Sequence, residues 1–328
     1  MLCATSKNLR CPWLLSAAAV LLVLGIYSAQ WLRQAAVGVA GISVGNGSSQ
    51  AAQVARSLPP QSAAAPLPGL PPAHPAYHAL DRPLDMRQAL EAREDLFDYA
   101  AQLRLAADGG DAQAAWTMTR IYDYCGLYAS DPQGYALDSA MLSALDLQAS
   151  PGLLAARQRV GRRCAGFAAA EPPGRLVLLQ RRQQAAQAGN LAAEAALLAM
   201  GEPLSPQPQY RQELVRRVIQ SQDPEAFLAL SPAMGAAAAG DLALSGTVAG
   251  NTLSQLAWQV AACRLGLACG PDSVLMNGYC ANGGICSRRP GQDFESFVFD
   301  AAVPRQGVEK MNELINSLRR APARGELQ

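Results

Sequence analysis

Four of the chain's eight cysteines stand in two copies of one spacing, Cys263-Arg264-Leu265-Gly266-Leu267-Ala268-Cys269 and Cys280-Ala281-Asn282-Gly283-Gly284-Ile285-Cys286. Thiols placed this way can be oxidised to bridges or can hold a soft metal as thiolates. Zinc sites usually pair ligands about two to four residues apart, a tighter spacing than in these motifs, so a four-thiolate site is disfavoured. The only histidines, His74 and His78, lie four positions apart with no further donors beside them. Such a pair is a weak metal site, and it leaves residues 81–328 without a histidine to act as base or ligand. Gly41-Ile42-Ser43-Val44-Gly45 matches the nucleophile-elbow pattern, but that turn needs a buried strand before it and a helix after it, and here it sits in a low-complexity stretch. Lys310 lies on the polar side of an amphipathic segment, which is no place for a serine–lysine pair. The acidic residues recur at helical spacing, and no two stand out as general acid and base. No catalytic residue, metal ligand or cofactor is assigned, and the chain reads as a non-enzyme.

What positions these residues starts at the N-terminus. From Cys11 to Leu32 the chain runs 22 residues without a charge. Residues 12–32 are expected to form a transmembrane signal-anchor helix, since a run of that length spans roughly 33 Å, enough for a hydrocarbon core of about 30 Å. Trp13 and Trp31 fall roughly 27 Å apart, the spacing of two membrane interfaces, and are taken as the anchor's interfacial residues. Lys7 and Arg10 precede the span, and Arg33 alone follows closely. The basic bias keeps residues 1–11 in the cytoplasm and exports the rest. A cleavable signal is the competing reading, but Ser28-Ala29 puts Tyr27 at the −3 position, and Gly38-Val39-Ala40 follows too long an apolar region. The expected address is a bacterial inner membrane, crossed once, with the C-terminal part in the periplasm and the bilayer as a partner of residues 12–32.

Residues 33–80 are rich in Ala, Gly, Ser, Gln and Pro, with seven prolines between Pro59 and Pro75. Such a segment buries too little apolar surface to offset its ordering entropy, so it reads as a disordered linker. Setting aside the four basic residues of 1–80 leaves 23 basic against 26 acidic residues in 81–328, a net of −3. That balance argues against a nucleic-acid partner. The arginines around Arg157, Arg159, Arg162 and Arg163, and again at Arg175, Arg181 and Arg182, read as solvated helix faces.

Residues 81–328 read as an exported all-α domain of stacked antiparallel helical hairpins, an irregular α-solenoid. A first helix carries Ala89, Leu96, Ala100, Leu103 and Ala107 on one stripe, with Glu91, Glu94 and Asp98 opposite. Breaks at Gly109-Gly110, Asp131-Pro132, Pro151-Gly152, Pro172-Pro173-Gly174, Gly189-Asn190, Gly201 to Pro208, Asp223-Pro224 and Gly270-Pro271 divide the rest, and Val308, Met311, Leu314, Ile315 and Leu318 form a closing amphipathic helix. Trp116, Tyr122, Tyr124 and Tyr128 read as fillers of the hairpin cores, with the lining of a groove as the alternative. One turn recurs, Ala106-Ala107-Asp108-Gly109-Gly110-Asp111-Ala112 and Ala186-Gln187-Ala188-Gly189-Asn190-Leu191-Ala192, in which glycine supplies the C-cap and Asp or Asn the next N-cap. With Arg120-Ile121-Tyr122 completing the second helix, the first copy resembles the short helical repeats related to tetratricopeptide repeats.

In an exported domain the even set Cys125, Cys164, Cys263, Cys269, Cys280 and Cys286 reads as disulfide-forming. If the first cysteine of each motif sits in a last helical turn that its glycine ends, the chain can fold back to bring the second within about 6 Å. The paired motifs resemble the helix-junction bridges of secreted cysteine-rich helical-repeat proteins. That resemblance implies pairing within each motif, leaving Cys125 with Cys164, while the residues by themselves leave connectivity open. The function expected of such a module is a protein- or peptide-binding scaffold or adaptor in the envelope. The alternative is an envelope enzyme whose carboxylates converge only in three dimensions.

Overall fold

A computed structural model describes residues 83–145, 150–169 and 174–320 of the protein. The anchor segment 12–32 with Trp13 and Trp31, the linker 33–80, Ser43 and both histidines lie outside the described residues. Among the described residues no helix is long and apolar enough to cross a membrane.

The described chain is all-helical, without a strand. The helices are α1 (Pro83–Ala92), α2 (Leu96–Asp108), α3 (Ala112–Ser130), α4 (Pro132–Ala144), α5 (Ser150–Arg163), α6 (Arg175–Gln187), α7 (Leu191–Ala199), α8 (Pro208–Ser221), α9 (Pro224–Leu230), α10 (Thr252–Arg264), α11 (Val274–Asn277), α12 (Phe294–Ala301) and α13 (Val308–Arg319). Local chemistry sets their ends. Asp111 caps α3 by accepting from the backbone N–H groups of Gln113 and Ala114, and Asn190 caps α7 through Ala193 N–H. Ahead of both caps the chain makes the same turn. Asp111 N–H reaches Ala106 O at 2.9 Å across Gly110, whose φ is +96°, and Asn190 N–H reaches Ala185 O at 2.9 Å across Gly189, whose φ is +93°. This six-to-one bond over a left-handed residue satisfies carbonyls that the helix end would otherwise strand.

One sequence expectation is corrected here. The stripe from Ala89 to Ala107 belongs to two helices, because the Asp95 carboxylate accepts from Phe97 and Asp98 N–H and starts α2 afresh. Glu91 accordingly leaves the solvent face and accepts the Val274 N–H at 2.8 Å.

Packing runs from element to element. α2 lies on α3, α3 on α6, α6 on α7, α7 on α9, α9 on α10 and α10 on α13, while α4 and α5 pair beside α3. Alanines such as Ala114, Ala115, Ala192, Ala193 and Ala196 are buried along these contacts and let the helices approach closely. Larger side chains, among them Trp258, Phe227, Leu103 and Ile121, fill the core between them. Of the four aromatics assigned to hairpin cores, Trp116, Tyr122 and Tyr124 are buried and Tyr128 is half-buried.

All six cysteines outside the N-terminal segment are bridged, Cys125 to Cys164, Cys263 to Cys269 and Cys280 to Cys286, with Cα atoms 5.5, 5.7 and 4.4 Å apart. The first joins α3 to the end of α5. In the second, Cys263 sits in the last turn of α10 and Gly266 takes the left-handed conformation, φ +105°. The third bridge closes the second copy of the pattern, which folds differently: Cys280 lies in a π-turn, Gly278–Asn282, and Gly284, not Gly283, takes positive φ. Gly283 is needed for another reason, since a Cβ there would come within 2.7 Å of the Tyr279 carbonyl oxygen.

Candidate functional site

Helix α3 projects Trp116, Arg120 and Asp123 along one stripe, at i, i+4 and i+7. They meet residues from well-separated parts of the chain. The Glu225 carboxylate, in the first turn of α9, accepts from the Trp116 indole N–H at 3.3 Å and from the Arg120 guanidinium. Arg182 of α6 pairs with Asp123. Both guanidiniums stand near the Trp116 ring, with their central carbons 6.0 and 5.9 Å from its centroid. Cation–π attraction therefore supplements the ion pairs.

Two cavities open on this stripe. One, of about 350 Å³, has Trp116, Arg120, Asp123 and Arg182 on one side and Met200, Leu228 and Gln259 among its other walls. The second, of about 400 Å³, is walled by Tyr124, Val274, Leu275, Tyr279 and Ile285, and again by Arg120 and Asp123. Since those two side chains line both, the cavities adjoin along α3, and the pair of them is termed the groove over α3. Opposite, the Tyr279 hydroxyl donates to Gln259 Oε1 at 2.6 Å, which ties the far wall of one cavity to that of the other.

The electrostatics follow from burial. Desolvation raises the pKa of Asp123, opposed by Arg182 and Arg120, and raises that of Glu91, opposed by its bond from Val274 and by Arg120 and Arg163. For Arg120 burial works against the charged form, but Glu225, Asp123 and Glu91 together outweigh it and leave the pKa raised. Arg182, with only Asp123 in support and Arg120 in opposition, is lowered by burial. The side chains of Arg120, Arg182 and Glu225 keep 11%, 8% and 6% of their surface exposed, whereas Asp123 keeps 43%. Protein displaces most of the water around the Asp123 carboxylate, yet one side of it stays open to the groove. It is the one member of the cluster that a ligand can reach without rearrangement.

No family model, curated protein or solved structure matches the chain. The site's meaning therefore rests on its own geometry. The sequence-derived bridges frame the groove: Cys125 is the residue after Tyr124, and Cys280 follows Tyr279. The reading of the arginine runs as solvated faces is corrected for Arg157, Arg163 and Arg182, all buried. Arg157 stacks 3.6 Å from the Tyr135 ring centroid and donates to the Tyr135 carbonyl at 2.8 Å. Arg163 donates to the carbonyls of Leu90 and Arg93, closing the C-terminal end of α1. Lys310 pairs with Glu313 at 3.0 Å on the exposed side of α13. Arg120, Asp123, Glu225 and Gln259 went unseen in the sequence, whose one hint was a Trp, an Arg and an Asp recurring along the otherwise apolar stripe of α3.

Proposed function

We propose that the protein is a membrane-anchored envelope scaffold that binds a peptide, or a flexible segment of another protein, in the groove over α3. In this reading the N-terminal segment 12–32 holds the chain in the inner membrane, the linker sets the domain off from the bilayer, and the helices stack as hairpins of an irregular solenoid in the periplasm. The supporting observation is the pair of adjoining cavities with a shared charged floor and apolar walls. A segment lying across both would gain buried apolar area and hydrogen bonds. The three bridges suit an oxidising compartment. They also stiffen the walls, so less ordering entropy is lost on binding.

Panning of a random peptide display library against the full-length, oxidised protein in nanodiscs tests this. Enriched peptides are expected to bind the wild type and to lose at least tenfold in affinity to Ala199→Trp, which fills the cavity beside Met200, while the melting temperature of that variant stays within a few degrees. Failure to enrich any peptide, or equal affinity for both proteins, refutes the groove as a binding site. A phosphatase reporter fused at the C-terminus tests the address separately, and an inactive reporter in bacteria overturns it.

A further inference from the structure

The same groove carries a preference that follows from which of its charges is reachable. Arg120 is engaged by Glu225, and Arg182 lies packed between Asp123 and the Met200 sulfur, 2.8 Å from its Nη1. Asp123 spends one oxygen, Oδ2, on Arg182, and no described group donates to Oδ1. The open side of the cluster thus presents an acceptor with unused lone pairs and a formal negative charge. Around Arg120 stand three carboxylates, Glu225, Asp123 and Glu91. Arg182 is the second cation facing the groove, and Arg163, which faces Glu91 from behind, is fixed on the carbonyls of α1. The wall therefore does not repel an incoming cation. On either side of Asp123 the surfaces are apolar, Met200 and Leu228 in one cavity and Leu275 and Ile285 in the other.

We infer that the groove selects peptides in which a lysine or arginine is flanked by apolar residues, the cationic head seated on Asp123 and the neighbours in the two cavities. This rests on the groove being a peptide site and adds its specificity. Arg120 and Arg182 are already paired with Glu225 and Asp123, so an anionic side chain would compete with those carboxylates for them, and a purely apolar segment would leave Oδ1 unmet. A charge-assisted bond in this partly desolvated position favours the basic peptide by roughly tenfold over a neutral isostere.

Fluorescence anisotropy with labelled twelve-residue peptides of core Leu-Leu-X-Leu-Leu, where X is lysine, norleucine or glutamate, reads the preference directly on the full-length oxidised protein in nanodiscs. The lysine peptide is expected to bind about tenfold tighter than the norleucine peptide, and the glutamate peptide weakest. In Asp123→Asn the ratio of lysine-peptide to norleucine-peptide affinity should fall to about one, whatever change in absolute affinity for both peptides follows from weakening the pair with Arg182. Equal binding of lysine and norleucine peptides, a tightest glutamate peptide, or a lysine advantage that survives Asp123→Asn overturns the inference and leaves the peptide site standing. Should none of the three bind, the inference fails together with the groove reading.

Discussion

Removal of the bridge between Cys125 and Cys164 is expected to cost far more than removal of either of the others. The two residues are 39 apart in sequence, so the bond closes a loop of about 40 residues, whereas Cys263–Cys269 and Cys280–Cys286 are each separated by 6. Constraint of the unfolded chain scales with the logarithm of loop size, which gives about 4 kcal/mol for the long loop and about 2.4 kcal/mol for each short one. The long bridge also ties α5 to α3 through two fully buried sulfurs. Urea unfolding of the full-length protein, wild type against Cys125→Ala/Cys164→Ala and against Cys263→Ala/Cys269→Ala, measures the difference. With a slope of about 2.5 kcal/mol per molar, the midpoint should fall by roughly 1.6 M for the first pair and roughly 1 M for the second. A loss below about 1 kcal/mol for the long-loop pair, or one no larger than for the short loop, refutes the view that this bridge staples the α4–α5 hairpin to the rest.

Glu225→Ala should destabilise by about 3–5 kcal/mol, because it leaves the buried Arg120 guanidinium without its closest carboxylate, and Glu225→Gln by roughly half that; equal losses measured by denaturant titration would show that charge is not what matters there. Acid should at first stabilise this domain. Glu91, Asp123 and Asp223 all have pKa values raised by burial, so the folded state holds their protons more tightly than the unfolded chain does. Their contribution is complete below the ordinary carboxylate range near pH 4 and is lost as pH rises through the elevated folded-state values. As pH falls from neutrality through the raised folded-state values the melting temperature is expected to rise, and the rise to shrink in Glu91→Gln/Asp123→Asn; a steady fall from neutrality, parallel in both proteins, contradicts the assignment.

The local parts of this fold were legible because their causes are local. Gly110 followed by Asp111, and Gly189 followed by Asn190, announce a left-handed C-cap and a fresh N-cap within three residues, and the structure has both. The division of α1 from α2 was missed because Ala89 and Leu96 are seven positions apart, nearly two whole turns, so the apolar stripe keeps its phase across the break. Asp95, a good N-cap just ahead of Leu96, was the one available sign. The groove was out of reach for a different reason. Periodicity assigns a residue to a face but does not say which distant residue it meets: Asp123 and Arg182 are 59 positions apart, and Arg120 and Glu225 are 105 apart. Arg163 and Arg182 looked like members of surface runs, since an arginine that will be buried against a carbonyl or a remote carboxylate has no local mark.

Raised carboxylate pKa values in a cavity are often the mark of a catalytic site, and the cluster over α3 has two of them lining or adjoining it. On the proposed reading its hydrogen bonds serve a different use. Glu225 accepts from Trp116 and Arg120, the accessible Asp123 is tied to Arg182, and Glu91 accepts the Val274 amide. The cavity's serine, Ser231, is buried and donates to the Leu228 carbonyl at 2.8 Å. A general acid or base must exchange its proton with a substrate; Glu91 holds the start of α11 to α1, and Asp123, though its Oδ1 is open, holds α3 to α6 through Oδ2. Desolvation makes those attachments stiff as well as costly, because breaking any of them strands a charge. On the proposed reading the charges set the width of the groove, and a ligand would draw its energy from the apolar walls and from the unmet oxygen of Asp123.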